Sequence, residues 1–420
     1  VVPDFQKPLS QYNSYRLNSQ LTKARKTCLM RSNQLTSLSI KLETRNRVII
    51  IGGGIGGAAT ALALFRAGFE PVVYERTNQL REVGAGIALW ANATHILKNL
   101  GLLEEAIRVG YPTTNYQFNS QRGKELVNIA IDGFELPVIG IHRAELHQLL
   151  WRNVPGEKFI LGETFERFER KNNQVYAYFA SGLSSQGDAL IGADGLRSRV
   201  RAAMLGDEPP TYRNFKTWRG LTDYVPSLYR PGYIQEFLGC GKGFGFMMLG
   251  KGKMYWYAAA TAPQAQPDAA IGSKKELETM YQDWFPAIGE LIAATDEANI
   301  LTTDLYDRPP TQPWSQQNIT LLGDAAHPML PTMGQGACTA LEDAYVVAQC
   351  LQAQPDPSIA FQQYESLRFP RTKVIVEQSL RSGKMGELKN PLAVGVRNIF
   401  MKVMRSAISN EFKSVHAYRA

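Results

Sequence analysis

The chain has 420 residues, 44% hydrophobic and 20% charged, which is too long for one ordinary domain and enough to bury a large core with a large ligand inside it. The formal charge of +8 is concentrated: residues 1–47 hold nine Lys/Arg against two acids, or +7, so the body is nearly neutral and offers no basic surface for nucleic acid. Cys28, Cys240, Cys338 and Cys350 form no C-x-x-C pair and no zinc-spaced cluster, and no run reaches the ~18 apolar residues of a membrane span, which excludes a zinc site and a spanning helix and suits reduced thiols.

Residues 1–46 form a basic leader that is Ser/Asn/Gln-rich and acid-poor, without the apolar centre of a secretory signal. Three readings stand: a flexible or misassigned N-terminus with Met30 as another start, an organelle transit peptide, or a functional basic arm. The first predicts a cytoplasmic protein and the second a plastid or mitochondrial one.

Order begins near Arg47. Val48–Ile51 is short, wholly apolar and followed by glycines, which predicts a buried parallel strand. Ala58–Arg66 predicts a helix closed by Gly68, and Pro71–Tyr74 a second strand, together one β-α-β unit. Strands are predicted at Tyr116–Phe118 and Glu125–Ile131, a helix at Ala144–Trp151, and a hairpin from Thr164–Phe168 to Gln174–Phe179 across Lys171-Asn172-Asn173. Ala189–Ile191 reads as a strand. From Thr211 to about Ala260 strands dominate, rich in aromatics and punctuated by glycine, which predicts an antiparallel sheet. Ala265–Ala270 reads as a loop, Lys274–Trp284 as a helix and Ile319–Leu322 as a buried strand. A helix is predicted from about Cys338 to Cys350, and mostly helix from Ile359 onward.

Gly52, Gly54 and Gly57 form G-x-G-x-x-G, a pattern that chance supplies in roughly a quarter of chains this glycine-rich. Context strengthens it: a strand enters, a helix leaves, and Glu75 ends the next strand where an acid would accept hydrogen bonds from a ribose. The N–H groups of Gly54, Ile55, Gly56 and Gly57 at the helix start would meet a diphosphate. The loop does not separate NAD from FAD.

Three further stretches resemble the class A FAD monooxygenases, the flavoprotein aromatic hydroxylases that include salicylate and hydroxybenzoate hydroxylases and zeaxanthin epoxidase. Ile191-Gly192-Ala193-Asp194-Gly195-Leu196-Arg197 is similar to the family's Asp-Gly motif. Leu322-Gly323-Asp324-Ala325-Ala326-His327-Pro328, continuing into Gly334-Gln335-Gly336-Ala337-Cys338, is similar to its Gly-Asp motif. Glu75-Arg76, Gly84-Ala85-Gly86-Ile87 and Arg143 complete the set. The matched motifs run from about residue 47 to 371. Two departures stand out: Cys338 where many members have Asn, and Phe165 where an aliphatic residue is usual.

The resemblance implies an α/β fold: a Rossmann-like FAD-binding domain from 47–112, 138–210 and 300–352, an inserted antiparallel-sheet substrate domain from 113–137 and 211–299, and C-terminal helices over 353–420. It implies FAD contacts at Gly52, Gly54, Ile55, Gly56, Gly57, Glu75, Arg76, Gly86, Ile87, Arg143, Phe165, Asp194, Asp324, Pro328, Gly334, Gln335, Gly336 and Ala337. In the relatives NADH or NADPH reduces the flavin, O2 adds as a C4a-hydroperoxide, and one oxygen passes to an electron-rich aromatic or isoprenoid small molecule. A flavin reductase or dehydrogenase of the same fold, or a non-catalytic FAD-binding protein, are the alternatives. His327 reads as a packed residue or an acid–base group. Apolar Leu392, Val396, Ile399, Phe400, Val403 and Met404 recur at helical spacing with Arg397, Lys402 and Arg405 between them, predicting a helix packed on the core or touching a membrane surface.

Overall fold

The structure is a computed structural model and describes residues 46–79, 85–156, 158–264 and 274–420. Residues 1–45 of the basic leader, with Cys28 among them, and the Ala265–Ala270 loop and Gly84 lie outside the described residues.

Two sheets organise the body. The first has six strands in the order 315–316, 319–321, 189–192, 47–51, 70–75, 159–161, parallel except for the short strand Ser315–Gln316. Val48, Ile49 and Ile50 are almost wholly buried because both faces of this sheet are covered. The helix Ile55–Arg66 packs with Gly336–Ala353 and Arg143–Trp151. A three-stranded sheet, Phe165–Lys171, Gln174–Phe179 and Ser184–Gly187, meets the nucleotide sheet through Tyr74, stacked on Phe179 at 4.4 Å. Asn172 and Asn173 make its tight turn with positive φ, as the Asn-Asn pair predicted.

The second sheet has seven strands in the order 301–307, 211–222, 254–261, 242–248, 233–238, 115–120, 125–130. All neighbours are antiparallel except 233–238 against 115–120. Leu301–Asp307 belongs here and not to the nucleotide layer, which corrects the boundary placed at residue 300. It pairs with Thr211–Thr222 because it runs antiparallel alongside it, ahead of the Pro-rich turn that leads back to Ser315.

Alternation along these strands separates two jobs. Trp218, Phe237, Phe244, Phe246 and Trp256 point to one face and form a second core with Tyr281, Trp284, Ile288 and Leu291. Tyr255 and Tyr257 point to the other face, toward the nucleotide domain. The covering helices differ from the single predicted one. Lys274–Tyr281 stops early, and a second helix, Pro286–Ala293, begins with proline at its first turn, where the missing N–H costs nothing.

Helix starts also move. The first helix begins at Ile55, so Gly56 and Gly57 are already helical. A Cβ on Gly57 would overlap the Gly52 carbonyl oxygen, so no larger residue fits there. No described helix is long and apolar enough to cross a membrane.

The C-terminal helices differ most from expectation. Pro391–Val403 packs through Val394, Arg397 and Met401. The apolar positions singled out in the sequence face outward: Leu392 is 81% exposed, Val396 67%, Ile399 65%, Phe400 53% and Val403 75%. Arg397, by contrast, is buried and its Nη1 donates to the carbonyls of Gly239 and Met385 at 3.3 and 3.2 Å. The last helix, Arg405–His416, packs inward through Phe412, Val415 and His416.

Candidate active site

One cavity of about 810 Å³ lies between the nucleotide sheet and the second face of the large sheet. That volume suits a large cofactor with a small ligand beside it. Of the residues expected to touch the cofactor, all but Gly57, Pro328 and Gln335 line it. Those three sit just behind its surface, each for a packing reason. Gly57 is pressed against Gly52, Pro328 is buried beside the cavity, and Gln335 is wholly buried with its Oε1 accepting from Asn92 Nδ2 at 2.8 Å.

The glycine loop is held from two sides. Glu75 Oε2 accepts from the Gly53 N–H at 2.7 Å while Oε1 accepts from the Thr77 N–H and hydroxyl at 3.0 and 3.1 Å. The Gly53 carbonyl meets His147 Nε2 at 2.5 Å. Gly54 has open space where a Cβ would stand, so its backbone is accessible to a ligand. No acid or side-chain cap occupies the N-terminus of the first helix, which leaves its N–H groups and positive end available for an anion.

The two aspartates of the paired motifs are used differently. Asp194 accepts from Ser198 Oγ at 2.5 Å and from the Arg199 and Val200 N–H groups at 2.7 and 3.2 Å. Burial pushes its carboxyl above the ordinary range while those bonds pull it back. Asp324 follows the strand Ile319–Leu321 and projects its carboxylate into the cavity, where crowding by the protein raises its proton affinity. Phe165 keeps its ring packed edge-on to Phe179, and its carbonyl accepts from Arg199 Nη1 at 3.1 Å. The unusual side chain therefore belongs to the core.

Behind the Gly323-Asp324 turn lies a buried charge network that the sequence hinted at only through its Glu-Asp and Arg residues. Arg368 meets Glu342 at 2.6 Å and Asp343 at 2.7 Å, and Arg371 forks onto both oxygens of Glu342. Asp343 Oδ2 accepts from the Gly323 N–H at 3.1 Å and faces His327 Nε2 at 2.5 Å. Burial alone would raise the Asp343 carboxyl, but His327 and Arg368 hold it at about 2. His327 is thus a packed partner of Asp343 and does not line the cavity.

The opposite wall was not legible as individual contacts. It comprises Tyr116, Thr217, Arg219, Ile234, Glu236, Met247, Tyr255, Tyr257 and Leu305. Arg219, Tyr257, Gly245 and Glu236 stand on one rung across four strands. A Cβ at Gly245 would collide with the Tyr257 ring, so its absence lets that ring lie across the strand. The Tyr257 hydroxyl then donates to Glu236 Oε2 at 3.3 Å, and the Tyr116 hydroxyl donates to the same oxygen. Burial pushes Glu236 upward and the two hydroxyls pull it down, leaving it raised; both tyrosines are pushed well up. Trp90 packs edge-on to Tyr116, Phe412 packs on both of them, and His416 packs on Trp90, so the final helix supports this wall.

A cavity of this volume with an open glycine loop at one wall and a carboxylate lining it at the strand ends fits FAD. Comparison with known proteins agrees. A family model described as "FAD binding domain" matches residues 45–379. The chain belongs to this family of FAD-binding monooxygenases. Aurachin C monooxygenase/isomerase of Stigmatella aurantiaca is 37% identical over 372 residues, covering 87% of this chain and 96% of that protein. Chloroplastic zeaxanthin epoxidase of Solanum lycopersicum is 35% identical over 364 residues, covering 78% of this chain; the chain spans about half, 53%, of that protein. Among solved structures, Klebsiella pneumoniae HpxO complexed with FAD and uric acid superposes with a TM-score of 0.82 at 25% identity, covering 88% of this chain and 96% of that one. As an FAD monooxygenase the chain is an oxidoreductase, and FAD is its cofactor.

Proposed function

We propose that this monooxygenase uses NADH or NADPH and O2 to hydroxylate or epoxidise an electron-rich aromatic or isoprenoid small molecule. The observation that carries the proposal is the pairing of walls: cofactor-matched residues on one side of a single cavity, an aromatic and aliphatic sheet face on the other. The flavin, when bound and reduced by the nicotinamide, supplies the activation of O2. The chain's residues bind and enclose it. Gly52, Gly54, Ile55 and Gly56 take the diphosphate, Glu75 and Arg76 the adenosine side, Asp324 the ribityl chain. Gly86, Ile87, Arg143, Gly334, Gly336 and Ala337 would hold the ring system, and the positive end of helix Gly336–Ala353 would stabilise negative charge on it. Phe165 and Asp194 form the wall beside them. Met247, Ile234 and Leu305 exclude water from the reacting centre.

The test is direct. The purified protein is given NADH or NADPH under 18O2 with phenolic, indolic and isoprenoid compounds. Substrate-stimulated oxygen uptake with one 18O atom in the product is the expected result. Rapid nicotinamide oxidation with no oxygen in any product assigns a reductase instead. A bound flavin that neither nicotinamide reduces assigns a non-catalytic FAD protein.

The outward apolar stripe Leu392, Val396, Ile399, Phe400 and Val403, with exposed Lys389 and Arg405 at its ends, favours peripheral contact with an anionic membrane surface. Such contact suits a lipophilic substrate. Cys240, Cys338 and Cys350 are free thiols, which supports a reducing compartment, cytoplasm or organelle interior.

A further inference from the structure

The wall opposite the cofactor residues carries two charged side chains, Arg219 and Glu236, and only Glu236 is set in a built arrangement of hydroxyls. Glu236 stands in the strand Tyr233–Leu238 and faces the cavity. Its Oε2 receives the hydroxyls of Tyr116, from the neighbouring strand on one side, and Tyr257, from two strands away on the other. Tyr257 reaches it only because Gly245, between them on the rung, has no side chain. Three elements thus converge to fix one carboxylate oxygen. Among the described residues nothing donates to the other oxygen, Oε1. A carboxyl group placed inside an apolar wall is costly unless its bonding is completed. The protein completes half of it.

We propose that Glu236 is the substrate-selecting group of this cavity, and that its second oxygen accepts a hydrogen bond from a ring N–H or O–H of an otherwise apolar substrate. This rests on the reading of the cavity as a monooxygenase substrate site. It narrows the substrate to an aromatic or isoprenoid-bearing molecule that carries a hydrogen-bond donor, and it disfavours aromatic carboxylates, whose charge would meet that of Glu236. The chemistry follows from the bond itself: a donor hydrogen held by a carboxylate pushes electron density into the ring it belongs to, which suits electrophilic oxygen transfer. Arg219 is the competing polar group. It lies three strands away on the same rung, about 14 Å at ~4.8 Å per strand, and its Nη2 is engaged by Thr303 Oγ1 at 2.9 Å.

Binding without turnover tests this on the full-length holoprotein. The probes are 2-naphthol against 2-methoxynaphthalene, indole against 1-methylindole, and 2-naphthoate, followed by their perturbation of the bound-flavin spectrum. In the wild type the donor of each pair is expected to bind at least ~10-fold tighter than its methylated partner, a difference typical of one buried hydrogen bond to a charged group. Glu236→Gln keeps the shape but can turn a donor toward the ligand, and is expected to erase that preference while retaining FAD. Tyr257→Phe, which removes one holder, is expected to reduce it partially. Donor preference unchanged in Glu236→Gln overturns the proposal. So does tighter binding of 2-naphthoate than of 2-naphthol, which would assign selection to Arg219, and so does a wild type that binds no donor probe. Because the readout needs no catalysis, a reductase outcome in the 18O2 experiment would overturn the functional reading while leaving this result to stand or fall on its own.

Discussion

Asp194 and Asp324 occupy equivalent places in two similar motifs, yet their surroundings give them separate work. Asp194 spends its oxygens on Ser198, Arg199 and Val200 and so ties down the start of the helix Arg199–Leu205. Asp324 has its carboxylate in the cavity. Asp324→Ala is therefore expected to lose most bound FAD while the apoprotein keeps its melting temperature. Asp194→Ala should lower that temperature, by an amount corresponding to about 1–2 kcal/mol as for lost helix caps. Flavin stoichiometry and calorimetry on both variants check the contrast, and full FAD retention by Asp324→Ala would remove the ribityl assignment. Asp324 was legible because a short apolar strand and Gly-Asp place a carboxylate at a strand's end. Glu236 was not. In Tyr-Ile-Gln-Glu-Phe-Leu it is one acid among ordinary strand residues, and only the register across four strands brings Tyr116, Gly245 and Tyr257 to it.

At the scale of elements, the final helix shows how a surface segment becomes part of the site. Phe412 stacks on Tyr116 at 5.1 Å and on His416 at 3.8 Å, and His416 Nε2 lies 3.1 Å from the Met333 carbonyl, a residue of the cavity rim. Burial pushes the His416 imidazole down to about 4, although both ring nitrogens face carbonyl oxygens that favour the cation. A depressed base takes its proton more readily when unfolded. Stability is thus unaffected above about pH 6.5, declines as pH falls below it, and has lost its full share near pH 4. At ~1.36 kcal/mol per pH unit the loss is about 3 kcal/mol. Thermal melts of wild type and His416→Gln from pH 7.5 to 4 should show the extra acid sensitivity in the wild type only; parallel curves would refute it. This docking was not legible beforehand because the apolar residues of the preceding helix lie on its outer face. Hydrophobic spacing identified that helix and left open which of its sides meets the core: Arg397, one of the basic residues between the apolar positions, is buried.

For the whole molecule, the parallel layer could be read from local pattern, since one β-α-β unit and two Gly-Asp-type motifs each declare a strand end. The large sheet could not be drawn in the same way. Its seven strands come from residues 115–130, 211–261 and 301–307; the hairpins inside the first two segments are local, but the pairings that join the three segments leave no local trace. The same assembly puts the stripe Leu392–Val403 on the exterior, where its contact is expected to be lipid. Full-length protein should float with phosphatidylcholine/phosphatidylglycerol vesicles, and Val396→Asp with Ile399→Asp should abolish flotation without loss of FAD. Equal behaviour of the two proteins would remove the membrane proposal. Point changes are required because cutting the chain before residue 391 would also delete Phe412 and His416, which support Trp90 and Tyr116 of the cavity wall.

Alternation in the large sheet has an evolutionary corollary. Each strand writes two texts in one line: Phe244, Phe246, Trp218 and Trp256 hold the domain together, while Met247, Tyr255, Tyr257 and Leu305 face whatever enters. A lineage adopting a new molecule can revise every second letter and leave the binding of the domain untouched, so diversification of substrate and persistence of fold need not compete for the same residues.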